Sequence, residues 1–333
     1  MKNGITRFTF FLDQLQVLLT QAEKQKNPGL WLYQNNARTP LFMLEGLAKM
    51  YAGLHNCKKF SKIKERFKQL EDILGSIDYY DSFAKEFTSN PNVPSTVTGY
   101  LQAQAREKIQ SLNESLKEND WLGSEKSRIM KIRNKLEEAD WQKSAAEIKC
   151  IKGFYDKAIA EIVAFTSKTN FHFSNVESEV HELRRKLRWL SIYPQALRGA
   201  IQLSSSKLKN GQLKVPPKYL EKYLTQEIVN SPFNKLPDAG DNKDILFLEQ
   251  NYFYALSWMI ARLGNLKDSG LRLIAIREAL QQLSAISDAD ALKKAQGFIG
   301  TGQPDLQQVL LQADDICKIY FREKDLQKLV VGI

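Results

Sequence analysis

SKIKERFKQLEDILGSIDYYDSFAKEF, residues 61–87, decides the fold class. Ile63, Phe67, Leu70, Leu74 and Ile77 recur at spacings of three and four, the period of an α-helix that buries one face. Glu65 and Gln69 fall on the outer side. The same period runs outward in both directions. REKIQSLNESLKENDWL (106–122) repeats it with Ile109, Leu112 and Leu116, and the stretch 128–165 holds one or two more helices. From Leu246 to Leu283 the hydrophobic content rises, as in buried helices. No segment sustains the alternation of a strand, so the expected class is all-α.

Composition agrees. The chain has 333 residues, 43% hydrophobic and 26% charged, as ordinary globular proteins do. Its 17 Gly and 10 Pro are sparse for that length and favour long helices over a turn-rich β fold. The 48 Lys and Arg exceed the 38 Asp and Glu, giving a net charge of +10 that favours anionic partners: nucleic acid, polyphosphate or an acidic membrane surface. Cys57, Cys150 and Cys317 stand apart, with no CxxC or Cys/His metal spacing. The opening MKNGITRFTFFLDQLQVLLTQ is interrupted by Thr6, Arg7, Thr9, Asp13, Gln14 and Gln16, and reads as an amphipathic helix in place of a signal peptide. No apolar run approaches membrane-spanning length. These features lead to the expectation of a cytoplasmic protein with no membrane partner, metal or cofactor.

Two stretches break the helical pattern. SNPNVPSTVTG (89–99) reads as a loop. Residues 204–244 carry Pro216, Pro217, Pro232 and Pro237 and many lysines, with one short helical piece around 219–229. They read as an insertion between helices, whose Lys207, Lys209, Lys214 and Lys218 would form a diffuse basic rim. A smaller polar seam, SKTNFHFSN (167–175), falls near mid-chain, and its FHF is expected to pack between two halves.

Those halves share a weak internal echo. LGSIDYYDSF (74–83) and LGNLKDSGLR (263–272) both carry Leu-Gly, then an apolar and an acidic residue. A glycine inside a helix costs about 1 kcal/mol relative to alanine. The expected compensation is close approach of another helix where a β-carbon would collide. Upstream of each lies a helix with arginine, 35–54 and 180–197. The expected division is residues 1–170 and 171–333, with the insertion in the second half.

VHELRRKLRWLS (180–191) is the most charged of these helices. Val180, Leu183, Leu187 and Leu190 share one side, and His181, Arg184, Arg185 and Arg188 another. Like charges on adjacent turns repel by a few tenths of a kcal/mol, roughly, per pair. In sequence only Glu177 and Glu182 are near enough to offset this. A phosphate chain would offset it better, because arginine offers planar multi-donor contacts to successive phosphates. The alternative, which the residues alone favour for the whole stripe, is a solvated face whose arginines reach acidic groups on neighbouring helices. His181, crowded by cations, is expected to be a neutral hydrogen-bonding partner.

Other features point to no chemistry. His55 and His172 are isolated, the aromatic run NYFYALSW (251–258) sits amid core residues, and Asp314 with Asp315 lacks the companions a magnesium site needs. No nucleophile–base arrangement, P-loop or GxGxxG occurs, so a non-enzyme is expected.

The order of these motifs resembles the CHAD domain, the conserved histidine α-helical domain. His181, Arg184 and Arg188 in VHELRRKLR match the family's histidine and basic run. Leu263, Gly264, Lys267 and Asp268 match its LGxxRD, and AREKIQSLNESLKENDW (105–121) looks like its following helix. In the first half Leu74, Gly75 and Asp81 are kept, but Asp78 stands where a basic residue is usual. There Asn35 replaces the histidine, Arg38 takes the first arginine position, and Phe42 stands at the next. Ser191 replaces the last arginine of the second run.

The resemblance implies two pseudo-symmetric helical bundles around a basic groove, binding inorganic polyphosphate or another linear polyanion without turnover. The implied site is His181, Arg184, Arg188, Arg38 and Arg185, with no catalytic residue, metal or cofactor. The alternative is a helical interaction scaffold that has lost the ligand. Nucleic-acid binding has only the net charge in its favour.

Overall fold

The structure, a computed structural model, describes residues 3–123, 127–204, 217–300 and 302–333. Most of the chain is helical, as expected: twelve α-helices occur among the described residues. Two compact units divide it, Met1–Trp141 with Leu271–Gln303, and Gln142–Gly270 with Pro304–Ile333.

Unit 1 opens with α1 (Asn3–Glu23), α2 (Pro28–Gln34), α3 (Arg38–Leu54), α4 (Cys57–Thr88), α5 (Ser95–Glu118) and α6 (Arg128–Glu137). Local chemistry sets several of these starts. The Asn27, Asn56 and Ser127 side chains accept backbone N–H bonds at the first turns of α2, α4 and α6. Pro28 occupies the first turn of α2, where no N–H is needed. The α4 stripe Ile63, Phe67, Leu70, Leu74 and Ile77 is wholly buried. Beside it Phe8, Tyr51, Phe60 and Trp141 form an aromatic knot with ring centroids 5.2–6.0 Å apart. Buried Arg7 donates to the Tyr51 hydroxyl at 2.8 Å. The loop expected over 89–99 is shorter, because α5 already begins at Ser95 after Pro94.

Unit 2 contains α7 (Ser144–Lys168), a π-helical turn (Val176–His181) running into α8 (Glu182–Ala196), and α9 (Gln226–Val229). Next comes α10 (Gln250–Leu283), whose residues to Gly270 belong to unit 2 and whose remainder, with α11 (Asp288–Ile299), belongs to unit 1. The final helix is α12 (Leu306–Arg322). The division therefore falls at Trp141/Gln142 instead of near residue 170, and it is interleaved. A single long helix carries the chain from one unit into the other, which leaves no linker composition to mark the boundary.

The all-α expectation misses a small sheet in unit 2. Strand β1 (Ile201–Ser204) pairs parallel to β2 (Leu246–Glu249), with Ile201 opposite Leu246, and β2 pairs antiparallel to β3 (Val330–Gly332). Strands of three or four residues are too short to show alternation, and their partners are distant in sequence. The insertion is thus the crossover between two parallel strands. It contains a 3₁₀ turn at 218–220 and α9 where one short helix was expected. Lys207, Lys209 and Lys214 lie outside the described residues. Just before β1, Gly199 takes φ +87°, and a β-carbon there would meet the backbone of Asp238 and Ala239, so only glycine fits.

The FHF seam lies within unit 2. Asp314 of α12, 2% exposed, accepts from the Phe173 N–H at 2.8 Å and meets His172 Nδ1 at 2.7 Å. Among the described residues no helix is long and apolar enough to cross a membrane.

Candidate polyanion-binding site

The start of the basic helix is fixed by two side chains. Asn175 accepts from the Glu177 and Ser178 N–H groups, and Glu179 accepts from the Ser174 and Asn175 N–H groups. Together they satisfy the first donors of the turn. That turn is π-helical, a geometry often found at functional sites. Val176 and Val180 are buried, and Val176 packs against Gly270 of α10 where a β-carbon would collide. Leu183, Leu187 and Leu190 continue the buried side.

The charged side divides in two. Arg185 and Lys186 both reach Glu182, at 2.6 and 3.2 Å, and Lys186 lies over the Phe165 ring. These are local pairs of a solvated face. His181 Nδ1 lies 3.0 Å from Glu177 Oε1. An ionised carboxylate only accepts, so Nδ1 is the donor. This hydrogen bond holds Glu177 below the usual carboxylate range, and the charges of Lys267 and Arg185 lower it further. Lys267 of α10 therefore shares the patch with the π turn. Lys267 also pairs with Asp268 at 2.6 Å, although Asp268 is 57% exposed. The remaining basic groups, Arg184 and Arg188, are half-buried on α8.

Arg184 lies on Gly264. Its Nε donates to the Ile260 carbonyl at 3.3 Å, and a β-carbon at Gly264 would lie 2.9 Å from that same nitrogen. The expectation that the glycine admits another helix is corrected here: what it admits is an arginine side chain. Unit 1 contains the same arrangement. A β-carbon at Gly75 would lie 2.9 Å from Arg38 Nη2.

The surroundings of the two arginines differ. Arg38 Nε donates to Glu71 Oε1 at 2.7 Å and Nη1 to Asp78 Oδ2 at 3.1 Å, while the guanidinium lies 5.1 Å from the Phe42 ring centroid. Glu71 stands four residues before Gly75, and Asp78 three after. Around Gly264 those two offsets hold Ile260 and Lys267. At these two offsets unit 1 places two carboxylates, and unit 2 an isoleucine and a lysine that pairs with Asp268.

More acid surrounds Arg38. Tyr33 donates to Asp81 at 2.7 Å, and burial, followed by that bond, raises the phenol. Lys85 pairs with Asp81 at 2.6 Å. Glu45 of α3 is 6% exposed, and burial, then the charge of Glu71, pushes its carboxyl up to about 7.

The structure thus keeps His181, Arg184 and Arg188 on one helix of unit 2, sets Arg184 on Gly264 with Lys267 one turn further along α10, leaves Arg185 to Glu182, and sets Arg38 in unit 1 against carboxylates. Lys267, Glu71, Asp78 and Ile260 were not among the candidates read from the sequence. Reading four back and three forward from each helix glycine would have found all of them. Among the described residues no group of three His, Cys, Asp or Glu is placed to hold a metal ion. No family model, curated protein or solved structure matches this chain.

Proposed function

We propose that unit 2 binds a linear polyanion, most simply inorganic polyphosphate, without turning it over, and that the chain is a divergent CHAD-like protein. The observation that carries this reading is the setting of Arg184: it lies on a helix glycine flanked by Ile260 and Lys267, where the matching arginine of unit 1 has Glu71 and Asp78. Arg184 and Arg188 are one helical turn apart, so their planar forks can follow successive phosphates. Lys267 adds a compact charge from α10, and His181 a polar edge already oriented by Glu177. Arg185 belongs to the rim.

The test is binding to long-chain polyphosphate and to DNA of similar charge over a salt series, with Arg184→Glu/Arg188→Glu alongside. The expected result is preference for polyphosphate that the double change removes. Polyphosphate binding untouched by that change contradicts the site. Equal affinity for both polymers, falling steeply with salt, indicates non-specific electrostatics. No binding to either favours a helical scaffold that has lost its ligand.

A further inference from the structure

We propose that the stretch 217–224 of the crossover is a latch closed on the end of α12, and that Asp325 is its proton-operated pin: the latch holds with Asp325 neutral and loosens when Asp325 ionises. This device is separate from whatever the Gly264 face binds.

The stretch is fastened by side chains. Its own backbone bonds are local turns, from Leu220 to Pro217, Glu221 to Lys218, Tyr223 to Leu220 and Leu224 to Glu221. Tyr219 donates to Asp325 Oδ1 at 3.1 Å, while Lys222 and Tyr223 each donate to Glu323 at 2.8 Å. Tyr223 is buried with its ring against Trp258 of α10, centroids 4.9 Å apart. The two acids differ. Glu323 is partly exposed and has a partner on each oxygen. Asp325 is wholly buried, and its Oδ2 has no hydrogen-bond partner among the described residues.

An ion is poorly matched to that position, because a buried charge is unfavourable unless it is both paired and hydrogen-bonded. Lys328 Nζ lies 3.6 Å from Oδ1, and it donates to the Tyr219 hydroxyl at 3.1 Å and to the Glu323 carbonyl at 2.9 Å. Tyr252 of α10 hydrogen-bonds with Tyr219. Tyr320 of α12 is buried, its hydroxyl also without a partner among the described residues, and the charge of Asp325 adds to burial in raising its phenol. From the other side α7 packs against the 3₁₀ turn Leu326–Lys328, and it buries Glu147 and Tyr155. Burial raises the Asp325 carboxyl above its ordinary range; the charge of Glu323 adds to this, and Tyr219 and Lys328 offset only part of it. Opening the latch withdraws Tyr219 and admits water to the carboxyl, so the closed form keeps a proton that the open form releases. Such a group stabilises the closed form fully below the ordinary carboxylate range, and that contribution is lost as pH rises through the raised value.

Hydrogen-exchange mass spectrometry on the full chain tests this at the peptide carrying 217–224, corrected for intrinsic exchange, over a pH series from the ordinary carboxylate range to about pH 8. Wild-type protection is expected to fall as pH rises, by at most about tenfold per pH unit for one proton. Asp325→Asn, whose amide imitates the neutral acid, should keep its protection throughout and exceed wild type at the alkaline end. Wild-type protection that does not change with pH, or that falls equally in Asp325→Asn, overturns the proposal. A peptide from α4 is the control for global unfolding, and a fall there in step with 217–224 also counts against a local latch. If Asp325→Asn does not fold, Lys328→Met removes a partly exposed cation that favours the ion. The decline should then move to higher pH, and an unmoved decline overturns the proposal.

Discussion

Arg38 on Gly75 and Arg184 on Gly264 are two copies of one packing contact in opposite electrostatic settings. Both arginines occupy the space a β-carbon would fill, and both send Nε toward the residue four before the glycine. In unit 1 that residue offers a carboxylate at 2.7 Å; in unit 2 it offers a backbone carbonyl at 3.3 Å. Packing and charge have therefore separated. The glycine is needed wherever an arginine must lie flat on a helix, whatever the arginine then meets. What it meets differs between the units, and the residues four before and three after the glycine carry that difference: Glu71 and Asp78 in one, Ile260 and Lys267 in the other.

The comparison breaks most sharply at the arginines. Arg38→Ala leaves the Glu71 carboxylate, 9% exposed, beside Glu45 without its cation. Removing one partner of a buried pair costs several kcal/mol; with Arg38 one-third exposed, about 2 kcal/mol is expected. Urea denaturation should show that loss, with polyphosphate affinity unchanged. Arg184→Ala should reverse the pattern, losing affinity by about tenfold or more. Equal effects of the two changes on affinity would dissolve the contrast.

Glu45 sharpens it through pH. Its folded carboxyl is raised to about 7, above its ordinary value of 4.5, so the folded protein keeps a proton that the unfolded chain has released. Stability from this group is therefore greatest at low pH and declines as pH rises from the ordinary carboxylate value to about 7, by up to about 3 kcal/mol. Glu45→Gln should remove that decline. The variant is expected to gain over wild type between pH 5 and pH 8 in denaturation experiments, and a constant difference would contradict the assignment.

A smaller effect belongs to the glycines. Gly264→Ala gains about 1 kcal/mol of helix propensity, and its β-carbon meets only the end of a flexible side chain. Its stability should change little while Arg184 is displaced and polyphosphate affinity falls. Gly75→Ala should lose stability instead, because the displaced Arg38 holds Glu71 and Asp78. Thermal melts with binding measured on the same samples separate the two outcomes.

Much of this contrast could be read in the chain. The helical periods of 61–87 and 106–122, the two Leu-Gly pairs and their upstream arginines are all local signals, and each corresponds to a real feature. Asp78 stood out as an acid in a basic position, and its reason is Arg38. The alternative for the 180–191 face was acidic groups on neighbouring helices; Arg185 pairs within its own helix instead, with Glu182, while Arg38 is the arginine that meets acids of another helix, Glu71 and Asp78. What could not be read depends on distant partners. The sheet joins residues 201–204, 246–249 and 330–332, which carry no periodic signal in so few positions. The π turn differs from an α-helical start only in hydrogen-bond register. The interleaved units leave no trace because α10 is continuous across their boundary. Lys267 was visible as a motif residue, but its place beside Glu177 depends on how α10 packs against the π turn.

The central claim, that a local face and not net charge binds polyphosphate, is tested most directly by two identical charge changes. Lys267→Asp alters the Gly264 face, and Lys85→Asp alters the exposed partner of Asp81 in unit 1. Both remove the same charge from the protein. Polyphosphate affinity at fixed salt is expected to fall about tenfold for Lys267→Asp and to stay within about twofold for Lys85→Asp. Equal losses would mean that only the overall charge attracts the polymer, and would contradict the account.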